Sequence, residues 1–546
     1  MCWAPPPDFM KRRGFILSTL AAGSTLAVGK VPLGAQSMEA ERTEDFPWLE
    51  ATIDQLQAEM ASGRLTAVAL TEAYLERIAQ IDRAGPKLNS VIELNPDARA
   101  IAAELDRERA AGQVRGALHG IPVLVKDNLD SADRMHTTAG SLALLSARPL
   151  QDSTVVARLR EAGAVLLGKT NLSEWANLRS TRSISGWSGR GGQTRNPYAL
   201  DRNTSGSSSG TGAAVSANLC VVGVGTETDG SIVSPSSVCG LVGVKPTVGL
   251  VSRAGIIPIS ASQDTAGPMA RTVRDAAHLL TVMASRDQRD AATLTDRPTD
   301  MPQDYGAALI PGALRGKRVG LVRDPFGPNP KLEPVLENAL AALRSAGAVM
   351  VDPVKLPAMG DFGEAELEVL VYEYKAGLNA YFASLGPDAP IKSVEELIAF
   401  NREHADRELK YFGQEYLEMA AAKGSLTEQA YLDARAKCLR LTRDEGIDAA
   451  LAEHELDALV MITNGPAWLI DPVNGDSYTG GSSSWAAVSG YPAITVPAGQ
   501  VMGLPVGFSF VGPVWSEARL LALAADFETH ASARRVPAFL PTVALD

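Results

Sequence analysis

The chain has 546 residues, is 45% apolar and has a mean hydropathy near zero, so it is long enough to bury a large core. Its 51 Lys and Arg against 63 Asp and Glu give a net charge of −12, and no basic cluster follows the N-terminus, which argues against a nucleic-acid partner. No period repeats and no low-complexity linker divides the sequence, so one large core with insertions fits better than a string of small domains.

Residues 1–37 read as a targeting segment. Lys11, Arg12 and Arg13 precede an uncharged apolar run over 14–29, and small residues follow at 35–37. That is a basic start, an apolar stretch too short to span a bilayer and a cleavage site. The string KRRGFIL resembles a twin-arginine export signal. The expected location is therefore periplasmic or secreted, with no stable membrane anchor once the segment is removed. Met10 is an alternative start, because MCWAPPPDF sits awkwardly ahead of the arginines.

From residue 38 to 546 a single domain is expected. It opens with helices predicted over 52–62, 66–81 and 96–111, the last with Pro96 in its first turn and Gly112 at its end. Strand and helix then alternate: a strand at 121–125, a helix at 153–162 and a strand at 165–167. Short apolar strands between amphipathic helices predict an α/β protein with a mostly buried sheet. Lys126 ends the apolar run of LHGIPVLVKDN (118–128). A lysine held among apolar and hydroxyl groups can lose enough basicity to act as a base, although snorkelling at a strand end is the commoner fate.

Residues 203–226 carry no charged side chain. The Ser, Thr, Asn and Gly content there argues for buried backbone rather than a membrane span. The apolar run 219–224 predicts a buried strand, and TETDGS (226–231) predicts a tight turn after it. A serine ending such a turn, with successive backbone N–H groups before it, offers a nucleophile and a place for an oxyanion. A GSSSG string alone is more often a plain Ser/Gly loop, and GGSSSW at 480–485 has the same flavour without a TDGS sequel. Six histidines occur (119, 136, 278, 404, 454, 530), and none forms a hydrolase-elbow pattern with these serines.

A second α/β passage is predicted from a strand at 318–322, a helix at 330–346 and a strand at 348–353. Residues 363–448 turn charged and helical, and a substrate lid is expected there. Their Tyr and Phe side chains fit a core more readily than a pocket. The tail 477–516 again lacks charge, so it is expected to pack on the catalytic stretch and complete the sheet before a final helix at 517–530. Four cysteines occur. Cys220 and Cys239 are expected as buried thiols, and an oxidising compartment leaves a bridge between them open. No CxxC or His/Cys cluster is present, so no metal is expected.

Three strings stand in fixed order: VKDN (125–128), GSSSG (206–210) and TETDGSIVSP (226–235). Together they resemble the amidase signature family, whose Ser–cis-Ser–Lys triad matches residue by residue. The resemblance implies Ser231 as nucleophile, Ser207 as the bridging cis-serine after Gly206, and Lys126 as base. The N–H groups of Thr228, Asp229, Gly230 and Ser231 match its oxyanion hole. Further strings look like family landmarks: GKTNLSEWAN (168–177), GGQTRNP (191–197), GLVGVKPT (240–247), SQDTAGPM (262–269), SGYPAITVPAG (489–499) and LPVGFSFVG (504–512). The likeness therefore runs roughly from Trp48 to Glu528. It implies a large mixed β-sheet core covered by helices on both faces, a helical insertion and no cofactor.

The chain departs from the commonest family pattern at Asp229, where glycine is usual, at Val233, where arginine is frequent, and at Glu227, where aspartate is usual. These variants, with ISGWS (184–188) and RGGQTRNP (190–197), are similar to the peptide amidase branch. The expected activity is hydrolysis of the C-terminal amide of a peptide through an acyl-enzyme, with ammonia released. The alternatives are an amidase of small aliphatic or aromatic amides, a tRNA-dependent amidotransferase A subunit, and an exported binding protein on an inactivated scaffold. The export signal opposes the second, and intact Lys126, Ser207 and Ser231 oppose the third. The oligomeric state is not written in the sequence.

Overall fold

The computed structural model of the protein describes residues 46–323 and 325–544; the expected targeting segment lies outside them. From residue 50 onward the described residues form one large compact unit. Thirteen strands occur among the described residues. They are β1 (Val91–Leu94), β2 (Pro122–Lys126), β3 (Val165–Thr170), β4 (Trp187–Ser188), β5 (Gly192–Gln193), β6 (Val222–Glu227), β7 (Val242–Lys245), β8 (Thr265–Ala270), β9 (Arg318–Leu321), β10 (Val349–Val351), β11 (Ala458–Ile462), β12 (Ala493–Val501) and β13 (Leu504–Val511). Eleven of them form one sheet in the order β1-β3-β2-β6-β8-β7-β12-β13-β11-β9-β10.

The sheet is mixed. β2 runs parallel to both β3 and β6, whereas β6 meets β8 and β12 meets β7 antiparallel. Every residue of β2, β3, β6, β7 and β8 is buried, which explains continuous apolar runs in place of alternation. Helices cover both faces, as expected for this fold class. Their starts are set by small hydroxyl caps. Thr52, Thr66 and Ser153 each accept an N–H from the first turn of the helix they precede, worth about 1 kcal/mol apiece.

Two predicted elements differ in detail. The strand expected at 219–224 begins at Val222 and continues through Glu227, because pairing with β8 holds Thr226 opposite Ala266 and Glu227 opposite Thr265. Hydrophobicity marked the burial of Leu219–Val221 but not the hydrogen-bond ladder. The helical stretch after residue 358 opens with one long helix, Met359–Ser384, whose Phe362, Tyr374, Leu378 and Phe382 are fully buried. Its aromatic residues line the core. Cys220, Cys239 and Cys438 are free and buried, so Cys220 and Cys239 are thiols here.

Candidate active site

The chemistry-bearing strings converge at the carboxyl ends of two neighbouring parallel strands, β2 and β6. Their register, Val125 opposite Val224, brings Lys126 alongside Thr226. Lys126 is fully buried. Its Nζ lies 2.8 Å from Ser207 Oγ, 3.1 Å from Ser208 Oγ, 2.9 Å from Thr226 Oγ1 and 3.3 Å from Thr226 O. Burial drives its pKa down to about 7, against the weaker upward pull of Asp264 and Glu227. A neutral amine suits this shell. It can donate two hydrogens toward Thr226 and Ser208 and still offer a lone pair to the Ser207 hydroxyl.

The loop that carries Ser207 is tightly specified. The Gly206–Ser207 peptide is cis, and Ser205 has a φ of +56°. A Cβ at position 206 would sit 2.2 Å from Ser173 Oγ, so only glycine fits there. The two serine clusters are stitched together. Ser208 N donates to Ser231 O at 3.2 Å, and the hydroxyls of Ser205 and Ser234 pair at 2.8 Å. Exposure rises along the expected relay, from 0% at Lys126 to 1% at Ser207 and 8% at Ser231. Of the three, Ser231 is the residue nearest solvent.

The turn before Ser231 is also fixed from several sides. Gly230 has a φ of +78°, and a Cβ there would meet Ser483 Oγ at 2.8 Å. Thr228 Oγ1 donates to Asp264 Oδ1 at 2.6 Å. Glu227 Oε2 accepts the N–H groups of Ile232 (2.6 Å) and Val233 (2.9 Å), clamping the chain beyond Ser231. Among the described residues, the N–H groups of Thr228, Asp229, Gly230 and Ser231 donate to no protein group. Four adjacent donors left without partners can receive a developing negative charge.

Five further groups complete the surroundings: Gln263, Asp264, Glu366, Ser483 and Ser484. Asp229 accepts hydrogen bonds from Ser483 Oγ and, at 2.7 Å, from Ser484 Oγ. The string GGSSSW therefore does meet TDGS, from 254 positions away. The charge-free tail packs on the serine-rich stretch as expected, with β12 against β7 and Gly507 N on Ser237 Oγ at 2.8 Å. His119 is elsewhere, with Nε2 2.9 Å from Leu105 O, in a structural role.

The landmarks ISGWS and GGQTR border a separate cleft of about 1090 Å³, whose walls include Trp187, Ser188, Gln193, Arg195 and Tyr411. Lys126, Ser207 and Ser231 are not among those walls. Among the described residues, no group of His, Cys, Asp or Glu is placed to hold a metal ion, and no helix is long and apolar enough to cross a membrane.

Comparison with known proteins gives concordant likenesses. A family model described as Amidase matches residues 69–521. A probable amidase of Arabidopsis thaliana is 40% identical over 533 residues, spanning 96% of this chain and 97% of that protein. Among solved structures, the native peptide amidase of Stenotrophomonas maltophilia is 56% identical, with a TM-score of 0.87 over 90% of this chain and 99% of its own. A peptide amidase in complex with the competitive inhibitor chymostatin matches with the same identity, TM-score and coverage.

Proposed function

The chain belongs to the amidase family, and from that premise we propose that it hydrolyses the C-terminal carboxamide of peptides, with Ser231, Ser207 and Lys126 as its catalytic triad. The observation that carries the reading is the contact of fully buried Lys126 with Ser207, at 2.8 Å, beside a turn of four unengaged N–H groups.

The mechanism follows from proton inventory. Neutral Lys126 takes the proton of Ser207 as Ser207 takes that of Ser231, and Ser231 Oγ bonds to the amide carbon. The carbonyl oxygen becomes an oxyanion and rests on the N–H groups of Thr228 to Ser231. The relay then returns a proton to the leaving nitrogen, ammonia departs, and an acyl ester remains on Ser231. Water attacks that ester under the same base and frees the carboxylic acid. No step draws on a cofactor.

Two features support a peptide amide as substrate. One is the likeness to peptide amidases, one of which is held by the competitive inhibitor chymostatin. The other is that Asp229, Val233 and Glu227, which depart from the commoner family pattern, resemble the peptide amidase branch. Sparing internal peptide bonds requires a leaving-group pocket that admits NH₂ and clashes with anything longer. The KRRGFIL string supports export, which would bring the enzyme to peptides. The test is a panel of amidated di- and tripeptides, the same peptides as free acids, and simple amides such as propionamide. Ammonia from the first group alone fits the proposal. Turnover confined to simple amides would favour the small-amide reading.

A further inference from the structure

Helix Met359–Ser384 carries two buried carboxyls, Glu366 and Glu373. Seven residues is about two helical turns, so they share a face. Both reach residues 260–263. Glu373 is an ordinary anchor, accepting from Ser262 N at 2.9 Å, Ser262 Oγ at 3.0 Å and Tyr431 OH at 2.7 Å. Glu366 is different. Its Oε1 accepts Gln263 Nε2 at 3.1 Å, and its carboxyl lies beside that of Asp229, inside the turn that leads to Ser231. The same Gln263 amide nitrogen lies 3.3 Å from Thr228 O. The long helix thus grips the turn at two successive residues.

Two neighbouring carboxyls, one of them buried, resist ionising together, so one holds a proton. Asp229 accepts two hydroxyls, from Ser483 and Ser484. Glu366 accepts one amide N–H, so the proton belongs to Glu366. Burial first, and the Asp229 charge second, push its pKa up to about 8. The groups facing Glu366 are Asp229 from the turn, Gln263 from the loop before β8, and the Cys438 thiol from helix Gln429–Leu439, itself pushed up to about 12.

We propose that Glu366 is a positioning residue for the oxyanion turn: by donating its proton to Asp229 it aims the N–H groups of Thr228 to Ser231 and keeps a second negative charge away from the forming oxyanion. This rests on the reading of Ser231 as nucleophile. Loss of that proton leaves two repelling carboxylates behind the turn, opposed to the charge the turn must stabilise. Because the oxyanion exists only in the transition state, the effect belongs to kcat more than to KM.

The test is kcat and KM against pH for an amidated dipeptide, using wild type, Glu366→Ala, Glu366→Gln and Ser231→Ala. Wild-type kcat should fall above about pH 8 as the acid ionises. Glu366→Ala should lower kcat about tenfold or more at pH 7, with KM changed by less than about threefold. Glu366→Gln should recover most of that loss, since its amide can still donate to Asp229, and should hold its rate into alkali because it cannot ionise. A Gln variant whose alkaline limb overlays the wild type would overturn the inference, as would an Ala variant that alters KM alone. Should Glu366→Ala fail to fold, the comparison of wild type with Glu366→Gln still decides. Turnover surviving in Ser231→Ala would overturn the underlying reading instead.

Discussion

Lys126 Nζ lies 2.8 Å from Ser207 Oγ, and neither residue is more than 1% exposed. A fully charged ammonium at this position would have hydroxyls, a carbonyl and two distant carboxyls to balance it, which is too little to offset its lost hydration. Burial therefore suits the lysine to the role of base in the proposed triad.

Removing members of the triad should show their separate roles. Ser231→Ala and Lys126→Ala should each cut kcat by about 10³-fold or more, and Ser207→Ala should slow turnover by orders of magnitude. Steady-state ammonia release by purified, folded variants is the measurement. Near-normal turnover in Lys126→Ala would remove the lysine from the mechanism.

The pH profile should have a rising limb set by Lys126. Its pKa is lowered to about 7, and only the unprotonated amine can accept a proton. As pH rises through that value the active fraction grows, so kcat/KM should climb along a single ionisation before the alkaline fall that Glu366 sets. A rate that is highest in acid and declines toward neutrality contradicts a lysine base.

How much of this was legible in the sequence depends on range. Lys126, Ser207 and Ser231 stand in short strings whose residue types already imply the chemistry, so they could be read locally. The engagement of Asp229 by Ser483 and Ser484 could not, because it joins segments 254 positions apart. GGSSSW looked like a loop with no counterpart until the fold supplied one. Glu366 was hidden for another reason. It lies in a charge-rich helical passage where most acids face solvent, and only packing distinguishes the buried one. The end of β6 was displaced for a third reason, since apolar content reports burial while strand limits follow the ladder to β8.

Gly206 should tolerate no side chain. A Cβ there would lie 2.2 Å from Ser173 Oγ, which also accepts Gly186 N at 2.9 Å and so has little freedom to retreat. Gly206→Ala should destabilise the fold by about 1–3 kcal/mol through overpacking and should displace Ser207 from Lys126. Thermal unfolding and ammonia release report the two effects. An unchanged Tm with full activity would mean the loop is more accommodating than its contacts indicate.

Export should depend on the paired arginines. Replacing Arg12 and Arg13 by lysine should leave the precursor in the cytoplasm, with fractionation and immunoblotting as the measurement. Undiminished recovery of mature protein outside the cytoplasm would refute the twin-arginine reading while leaving other secretion routes standing.

The most direct test of the central claim follows one amidated tripeptide by mass spectrometry while its ammonia is counted. The wild-type enzyme should release one equivalent of ammonia, leave the tripeptide acid with both internal bonds intact, and show a transient acyl adduct on Ser231. Ser231→Ala should do none of these. Cleavage of an internal bond at a comparable rate, or ammonia release by Ser231→Ala, would contradict it.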